Sequence, residues 1–212
     1  MGAYHNETGH FRPEESLPVM PLKNPPLVLA STSPARRALL TTLGLPFTCA
    51  APGVDESFPE GTSVKGAVAL LAERKARAVA ARYPDAVVIG ADQLVSLEGE
   101  AFGKLPSAEA ALAHLKRLCG RTHDIVTGVC VLGPGTFQAC VDVAKLTVFP
   151  LSHAECQAYV ATGEWEGCAG GYRIEGRGQA LFSHIEGDRT SIQGLPMTVL
   201  VRLLREAGVN FF

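Results

Sequence analysis

Residues 86–92 read AVVIGAD, a run in which no polar side chain appears until the last position. A strand that is apolar at consecutive rather than alternate positions must be covered on both faces, which is how a sheet lies between layers of helix. The rest of the chain can supply those layers. Helical patterns at about 34–43, 64–82 and 108–119, a fourth opening at Ser152 and a fifth from Pro196 to just before Gly208 alternate with strand-like runs at 27–30, 122–132 and 137–149. Serines stand where helix caps are needed: Ser33 before Pro34, Ser63 before Val64, Ser107 before Ala108, and Ser152 three residues ahead of Glu155 in a capping-box pattern. No internal repeat or long polar linker divides the run. One α/β or α+β domain over 25–212 is predicted, preceded by a proline-rich tail, 1–24, that has no apolar period.

With 212 residues, 47% of them hydrophobic, the chain can bury a core without covalent or metal staples. The formal net charge of -2 gives no global positive field, so neither nucleic acid nor an acidic membrane surface is an expected partner. The six cysteines, at 49, 119, 130, 140, 156 and 168, form no CxxC and no zinc spacing, and read as reduced core residues. The first 26 residues lack a basic stretch followed by an apolar one, and nothing approaches the roughly 18 apolar residues of a membrane helix. A soluble cytoplasmic protein is expected.

Chemistry is concentrated at a few joints. In LVLASTSPARRALL, residues 27–40, a strand hands over to a helix through Ser31, Thr32 and Ser33, with Arg36 and Arg37 in the first helical turn. Helix starts present free N–H groups and a positive dipole end, so cations there are unfavourable by about 0.3–1 kcal/mol each unless an anion binds. Two readings stand: a socket for a polyphosphate, or an N-cap followed by two solvated arginines. Lys75 falls on the apolar stripe of the 64–82 helix, where it either snorkels to water or turns its ammonium into a polar cleft. Lys104 stands in an exposed Gly-Lys-Leu-Pro turn. Among acids, Asp92 is the sharpest candidate: it is read as ending a buried strand before a hairpin that turns at Glu98-Gly99. A carboxylate there suits metal binding or activation of a water, the alternative being an Asx turn. Glu56 beside Asp55, Glu175 and Asp188 are further acids, the last two flanked by glycine as turn residues often are. The dense glycines of 163–178 predict a long loop of the kind that carries function. The chain has no GxxxxGK[ST], GxGxxG, HExxH or GxSxG, which removes P-loop, dinucleotide, zincin and serine-hydrolase chemistry. Cations for a polyphosphate beside carboxylates for a metal and a water point to phosphoryl or nucleotidyl hydrolysis.

In order along the chain, LVLASTSPARRALL, APGVDE, ERKA, VVIGADQ, Gly-Lys followed by proline, GRTHDIVTGV, CAGGYRIEGRG, IEGD and GLPM resemble the signature of the Maf family of nucleoside triphosphate pyrophosphatases, over about 27–208. The resemblance implies a two-lobed α/β fold like that of the inosine triphosphate pyrophosphatases, with a mixed twisted sheet flanked by helices and the nucleotide in a central cleft. It also implies cleavage between the α and β phosphates with a divalent metal, Mg²⁺, Mn²⁺ or Co²⁺. In those terms Asp92 is the proton acceptor, Asp92 and Glu56 serve the metal, and Ser31, Ser33, Arg36, Arg37, Lys75 and Lys104 hold the triphosphate.

The family's specificity positions fall on Ala35, Gln93 and Glu175. Gln after the catalytic aspartate, and Glu rather than Gln at 175, resemble the branch acting on 7-methyl-GTP, whereas Ala35 stands where some members of that branch carry a bulky aromatic. A carboxylate is also the right partner for a cationic methylated guanine. The expectation is a house-cleaning pyrophosphatase for 7-methyl-GTP. Its alternatives are dTTP/UTP specificity, or a nucleotide-binding regulator of cell division without turnover. A homodimer is compatible with the apolar surfaces.

Overall fold

The computed structural model describes residues 24–212. The tail read over residues 1–24 therefore lies outside the described residues, except for Asn24. Asn24 belongs to the folded body: its side chain donates to the Asn210 carbonyl at 2.7 Å and accepts from the Asn210 amide at 2.8 Å.

The sheet is mixed and seven-stranded. Its strands are β1 (Leu27–Leu29), β2 (Thr48–Cys49), β3 (Val87–Leu97), β4 (Glu100–Phe102), β5 (Thr122–Gly133), β6 (Thr136–Val148) and β7 (Phe182–Glu186), in spatial order β2-β1-β3-β5-β6-β7 with β4 also paired to β3. The helices are α1 (Pro34–Thr41), α2 (Val64–Ala80), α3 (Ala108–Leu118), α4 (His153–Val160), the single-turn α5 (Arg189–Ile192) and α6 (Met197–Glu206). Ser33, Ser63, Ser107 and Ser152 each accept a helical N–H, the last within a complete capping box. This is the mixed α/β sheet flanked by helices that was expected.

One element departs from expectation in a way that builds the site. The strand through AVVIGAD does not stop at Asp92 but continues unbroken to Leu97, so the supposed hairpin arm is the second half of β3. Along one edge β3 pairs with β5 without interruption from Val88 to Ser96. Its other edge is shared: β1 runs parallel to 87–89, β4 runs antiparallel to 95–97, and the stretch between, Gly90 to Leu94, has no strand beside it. Asp92 lies in the middle of that gap. The strand remains continuous there because β5 satisfies it from the other side.

Alternation along β3 separates the layers. Val88 and Gly90 face α2 through Ala72, Ala76 and Val79, and Leu94 meets Ala67 and Val68. Residues 87, 89 and 91 face Leu40 of α1 and Leu200, Leu203 and Leu204 of α6, whereas Val95 and Leu97 face Leu115 and Leu118 of α3 and Tyr159 of α4. Two cores thus share one sheet, meeting where β1 yields to β4. Among the described residues no helix is long and apolar enough to cross a membrane. The cysteines are all free, but only Cys130 and Cys156 are buried and Cys49 is exposed, so the reading of all six as core residues holds for two.

Candidate active site

Gly90 and Gly128 decide how closely α2 approaches the sheet. A methyl group on Gly90 would sit 2.2 Å from the Ala72 carbonyl oxygen, and one on Gly128, directly opposite Asp92, 2.4 Å from that of Val68. With helix backbone resting on strand backbone, Lys75 cannot snorkel to water. It is 5% exposed, and its Nζ stands 2.5 Å from Asp92 Oδ1 and 2.7 Å from Glu56 Oε1. Burying such a pair gains little stability, because desolvation offsets the attraction.

Glu56 comes from the loop between β2 and α2. Arg74, the neighbour of Lys75, donates through Nη1 to the carbonyls of Asp55 and Ser57, at 2.6 and 2.8 Å, and so fixes the backbone on both sides of Glu56. The hydrogen bond from Lys75, aided by the charges of Lys75, Lys104 and Arg36, holds the Glu56 carboxyl below its ordinary pKa against the effect of burial. Asp55 instead closes an Asx turn on the Ser57 amide.

The β1–α1 joint lies beside this group. Ser31 Oγ accepts from the Ser33 amide at 3.1 Å and Ser33 Oγ from the Arg36 amide at 3.4 Å, while proline at the first helical position brings no N–H. The Ala35 amide is left without a partner among the described residues, as the start of a helix requires. The cap is thus present, with one helix-start amide left open beside it.

Arg36 turns inward and donates from Nε to the Gly194 carbonyl at 2.8 Å. Burial lowers the pKa of its guanidinium, opposed by the charges of Asp92 and Glu56. Successive helical residues diverge by about 100°, and Arg37 is exposed and outside the cleft lining. The structure thus brings one of the two arginines to the site.

The opposite wall is made of loops. Lys104 is bridged to Ala169, and the Gly170 amide donates to Gly103, so the glycine-rich segment is strapped to the end of the β4 hairpin. Tyr172 is buried with its hydroxyl 2.6 Å from His123 Nε2, and the Arg173 amide donates to Tyr159 Oη of α4 at 3.0 Å. Glu175 follows, exposed at the rim, 4.0 Å from Arg173 Nε. Gln93, on the sheet face opposite Asp92, points its amide nitrogen at Thr127 Oγ1 and at the carbonyls of Ser191 and Ile192, at 3.0, 2.6 and 3.1 Å. It is a strut that holds 191–194 in place. Asp188 caps α5, accepting from the Thr190 amide, and does not line the cleft.

Around these groups lies a cleft of about 690 Å³, lined by Ser31, Ser33, Ala35, Arg36, Glu56, Lys75, Asp92, Gln93, Lys104 and Glu175. That volume is in the range of small-molecule sites. Of the residues to which the resemblance gives a role, Arg37 alone is outside it. Three contributors went unread: Arg74, which sets the Glu56 loop; Gly194, whose carbonyl takes Arg36; and Phe58, a half-exposed aromatic in the lining. A glycine inside an apolar strand does signal close backbone approach, so Gly90 was visible in AVVIGAD.

Among the described residues no cluster of three or more His, Cys, Asp or Glu side chains is arranged to hold a metal alone. The donor set nonetheless fits one kind of ion. Asp92 and Glu56 already converge on a single cation, the Lys75 ammonium, and a small divalent ion completed by phosphate oxygens and water needs only one or two carboxylates.

The family profile described as Maf-like protein matches residues 26–207. A dTTP/UTP pyrophosphatase of Deinococcus radiodurans is 42% identical over 194 residues, covering 91% of this chain and 99% of that protein. A 7-methyl-GTP pyrophosphatase of Xanthomonas campestris pv. campestris is 44% identical over 188 residues, covering 88% and 98%. Among solved structures, the Ham1 protein of Staphylococcus aureus aligns with a TM-score of 0.49 at 17% identity, over 85% of this chain and 98% of that one.

Proposed function

The chain belongs to the Maf-like protein family, and from that premise we propose that it is a nucleoside triphosphate pyrophosphatase, hydrolysing the bond between the α and β phosphates to release a monophosphate and pyrophosphate. The observation that carries this reading is the buried Asp92–Lys75 pair, joined from the surface by Glu56 and lying under a helix start with an open amide and Arg36. The Ala35 amide, Arg36 and Lys104 are donors for the oxygens of a triphosphate. Asp92 is the base for the attacking water, and Lys75 fixes the orientation of its carboxylate by holding one oxygen. Asp92 and Glu56 would hold the divalent ion, Mg²⁺, Mn²⁺ or Co²⁺, which when bound would neutralise charge on the triphosphate and polarise the phosphorus under attack.

For the base, the reading is 7-methyl-GTP. Glu175 supports it, because an exposed carboxylate on the cleft rim can accept the N–H groups of the guanine edge and balance its cationic ring. A second reading, dTTP or UTP, is favoured by Ala35, whose small side chain gives a purine no surface to stack on.

The test is release of pyrophosphate and monophosphate with Mg²⁺ or Mn²⁺ over a panel of methylated and ordinary nucleoside triphosphates. Turnover on 7-methyl-GTP with the highest kcat/KM is the expected result. Turnover confined to dTTP and UTP would move the specificity to the second reading, and nucleotide binding without turnover on any member would leave only the regulator.

A further inference from the structure

Cys119 and Cys156 are 37 positions apart in sequence, yet their sulfurs stand 3.5 Å from each other. Neither touches the cleft. Cys119 caps the C-terminus of α3 and is partly exposed, whereas Cys156 lies in the second turn of α4 and is 1% exposed. A pair of thiols packed as small apolar groups would explain the burial of Cys156, but it gives no reason for the two sulfurs, of all the side chains on these helices, to face each other.

We propose that Cys119 and Cys156 are a disulfide-forming pair, a covalent modification site that ties α3 to α4 when the protein meets a low-molecular-weight disulfide such as oxidised glutathione. The sulfurs must close from 3.5 Å to about 2 Å. That movement falls to Cys119, which is at the helix exit, where Gly120 turns the chain with φ 66°.

Cys119 is also the thiol that solvent can reach. Its thiolate attacks one sulfur of the glutathione disulfide, the S–S bond breaks, and one glutathione leaves as a thiolate that takes up a proton. Cys156 then gives its proton to solvent and attacks Cys119 Sγ. The mixed disulfide breaks, the second glutathione leaves, and two protein thiols have been oxidised for one disulfide reduced. Burial pushes the Cys156 thiol up to about 11, with Lys116, one turn before Cys119, pulling the other way. The second step is therefore the slow one, and it is helped by the sulfurs already being in contact.

The tie reaches the cleft through α4. Tyr159, three residues beyond Cys156, accepts from the Arg173 amide and so holds the stretch of loop that ends in Glu175. Fixing α4 to α3 fixes the anchor of that wall while leaving the Asp92 side untouched.

The test uses the full-length reduced protein with oxidised glutathione at mildly alkaline pH, followed by alkylation, digestion and mass spectrometry. The expected result is an intact mass lower by two hydrogens and one linked peptide joining Cys119 to Cys156, reversed by dithiothreitol. In Cys156→Ser the expected product is a stable glutathione adduct on Cys119. Adducts only on other cysteines such as the exposed Cys49, with Cys119 and Cys156 both still open to alkylation, would overturn the proposal.

The coupling to the cleft rests on the pyrophosphatase reading and has its own readout. The cross-linked protein should change its KM for 7-methyl-GTP by about threefold or more with kcat little moved, and Cys119→Ser under the same treatment should not change. An unaltered KM in fully cross-linked protein would refute the coupling. A reduced protein that releases no pyrophosphate would count against the enzymatic reading alone, the linked peptide still deciding the disulfide.

Discussion

The two walls of the cleft are built differently. The side proposed to take the phosphates consists of the ends and middles of regular elements: the β1–α1 joint, Lys75 on α2 and Asp92 on β3, with helix and strand backbones in direct contact at Gly90 and Gly128. The side proposed to take the base consists of loops, 103–104, 167–175 and 192–194, held by side-chain hydrogen bonds from Gln93, Arg36 and Tyr159 and by the backbone bridge between Lys104 and Ala169. Reacting groups need positions fixed to a fraction of an ångström, which a sheet ladder provides. A wall of loops can change its side chains without disturbing that ladder. One fold can therefore serve relatives named for different bases.

Changes to the residues that support Asp92 on the rigid side should reduce both stability and hydrolysis. Lys75→Met leaves Asp92 buried without its partner, and a loss of about 3 kcal/mol in urea unfolding is expected, together with loss of turnover on every nucleotide. Gly90→Ala should destabilise by about 1–3 kcal/mol, because its methyl meets α2 backbone rather than a side chain that can move. If the variant were as stable as the parent, the close approach of α2 would not be what places Lys75.

The base side carries a different liability, two neutral histidines behind its wall. His114 has no hydrogen-bond partner on either ring nitrogen, and His123 bonds Tyr172 through Nε2 only. Burial drops both pKa values from 6.5 to about 4. Above 6.5 both states of the chain are neutral at these sites and no stability is lost. Between 6.5 and about 4 the unfolded chain takes up protons that the folded one refuses, so stability falls as the pH falls. His114→Leu should remove part of that slope, leaving the variant about 1–2 kcal/mol more stable than the parent near pH 5 by denaturant titration, with little difference near neutrality. Parallel stability curves for the two proteins would contradict this account.

The smallest effect belongs to the rim. Glu175→Gln should lower the ratio of kcat/KM for 7-methyl-GTP over UTP by about tenfold or less, the scale of one charge-assisted hydrogen bond made neutral, with no change in stability. An unchanged ratio would remove Glu175 from base reading.

What could be read in the sequence follows the same division. Helix starts were legible because a cap is a local device: Ser33, Ser63, Ser107 and Ser152 each act within three residues. AVVIGAD was legible as a buried strand, but its end was not. Asp92 and Gln93 look like the close of a strand unless one knows that β5 supports them through Gly128 and Thr127, 36 and 34 residues further along. The ion pairs of Lys75, the strut from Gln93 to Ser191 and the bond from Arg36 to Gly194 join positions 17 to 158 residues apart, and no local pattern encodes them. Asp92, Lys75 and Arg36 were still picked out because each violates a local rule, and it is the fold that pairs them. Arg37 violates the same rule as Arg36 and yet faces solvent.

One rigid group, centred on Asp92, is proposed to perform the hydrolysis whatever base the loops admit. The most direct test is pyrophosphate release by Asp92→Asn on both 7-methyl-GTP and UTP. Lys75 keeps Glu56 as a partner in this variant, so the fold should persist, with a melting temperature within a few degrees of the parent. The expected result is a fall in kcat of roughly 10²–10⁴-fold for both nucleotides. A variant that retains the parental rate, or loses it for one nucleotide only, would contradict it.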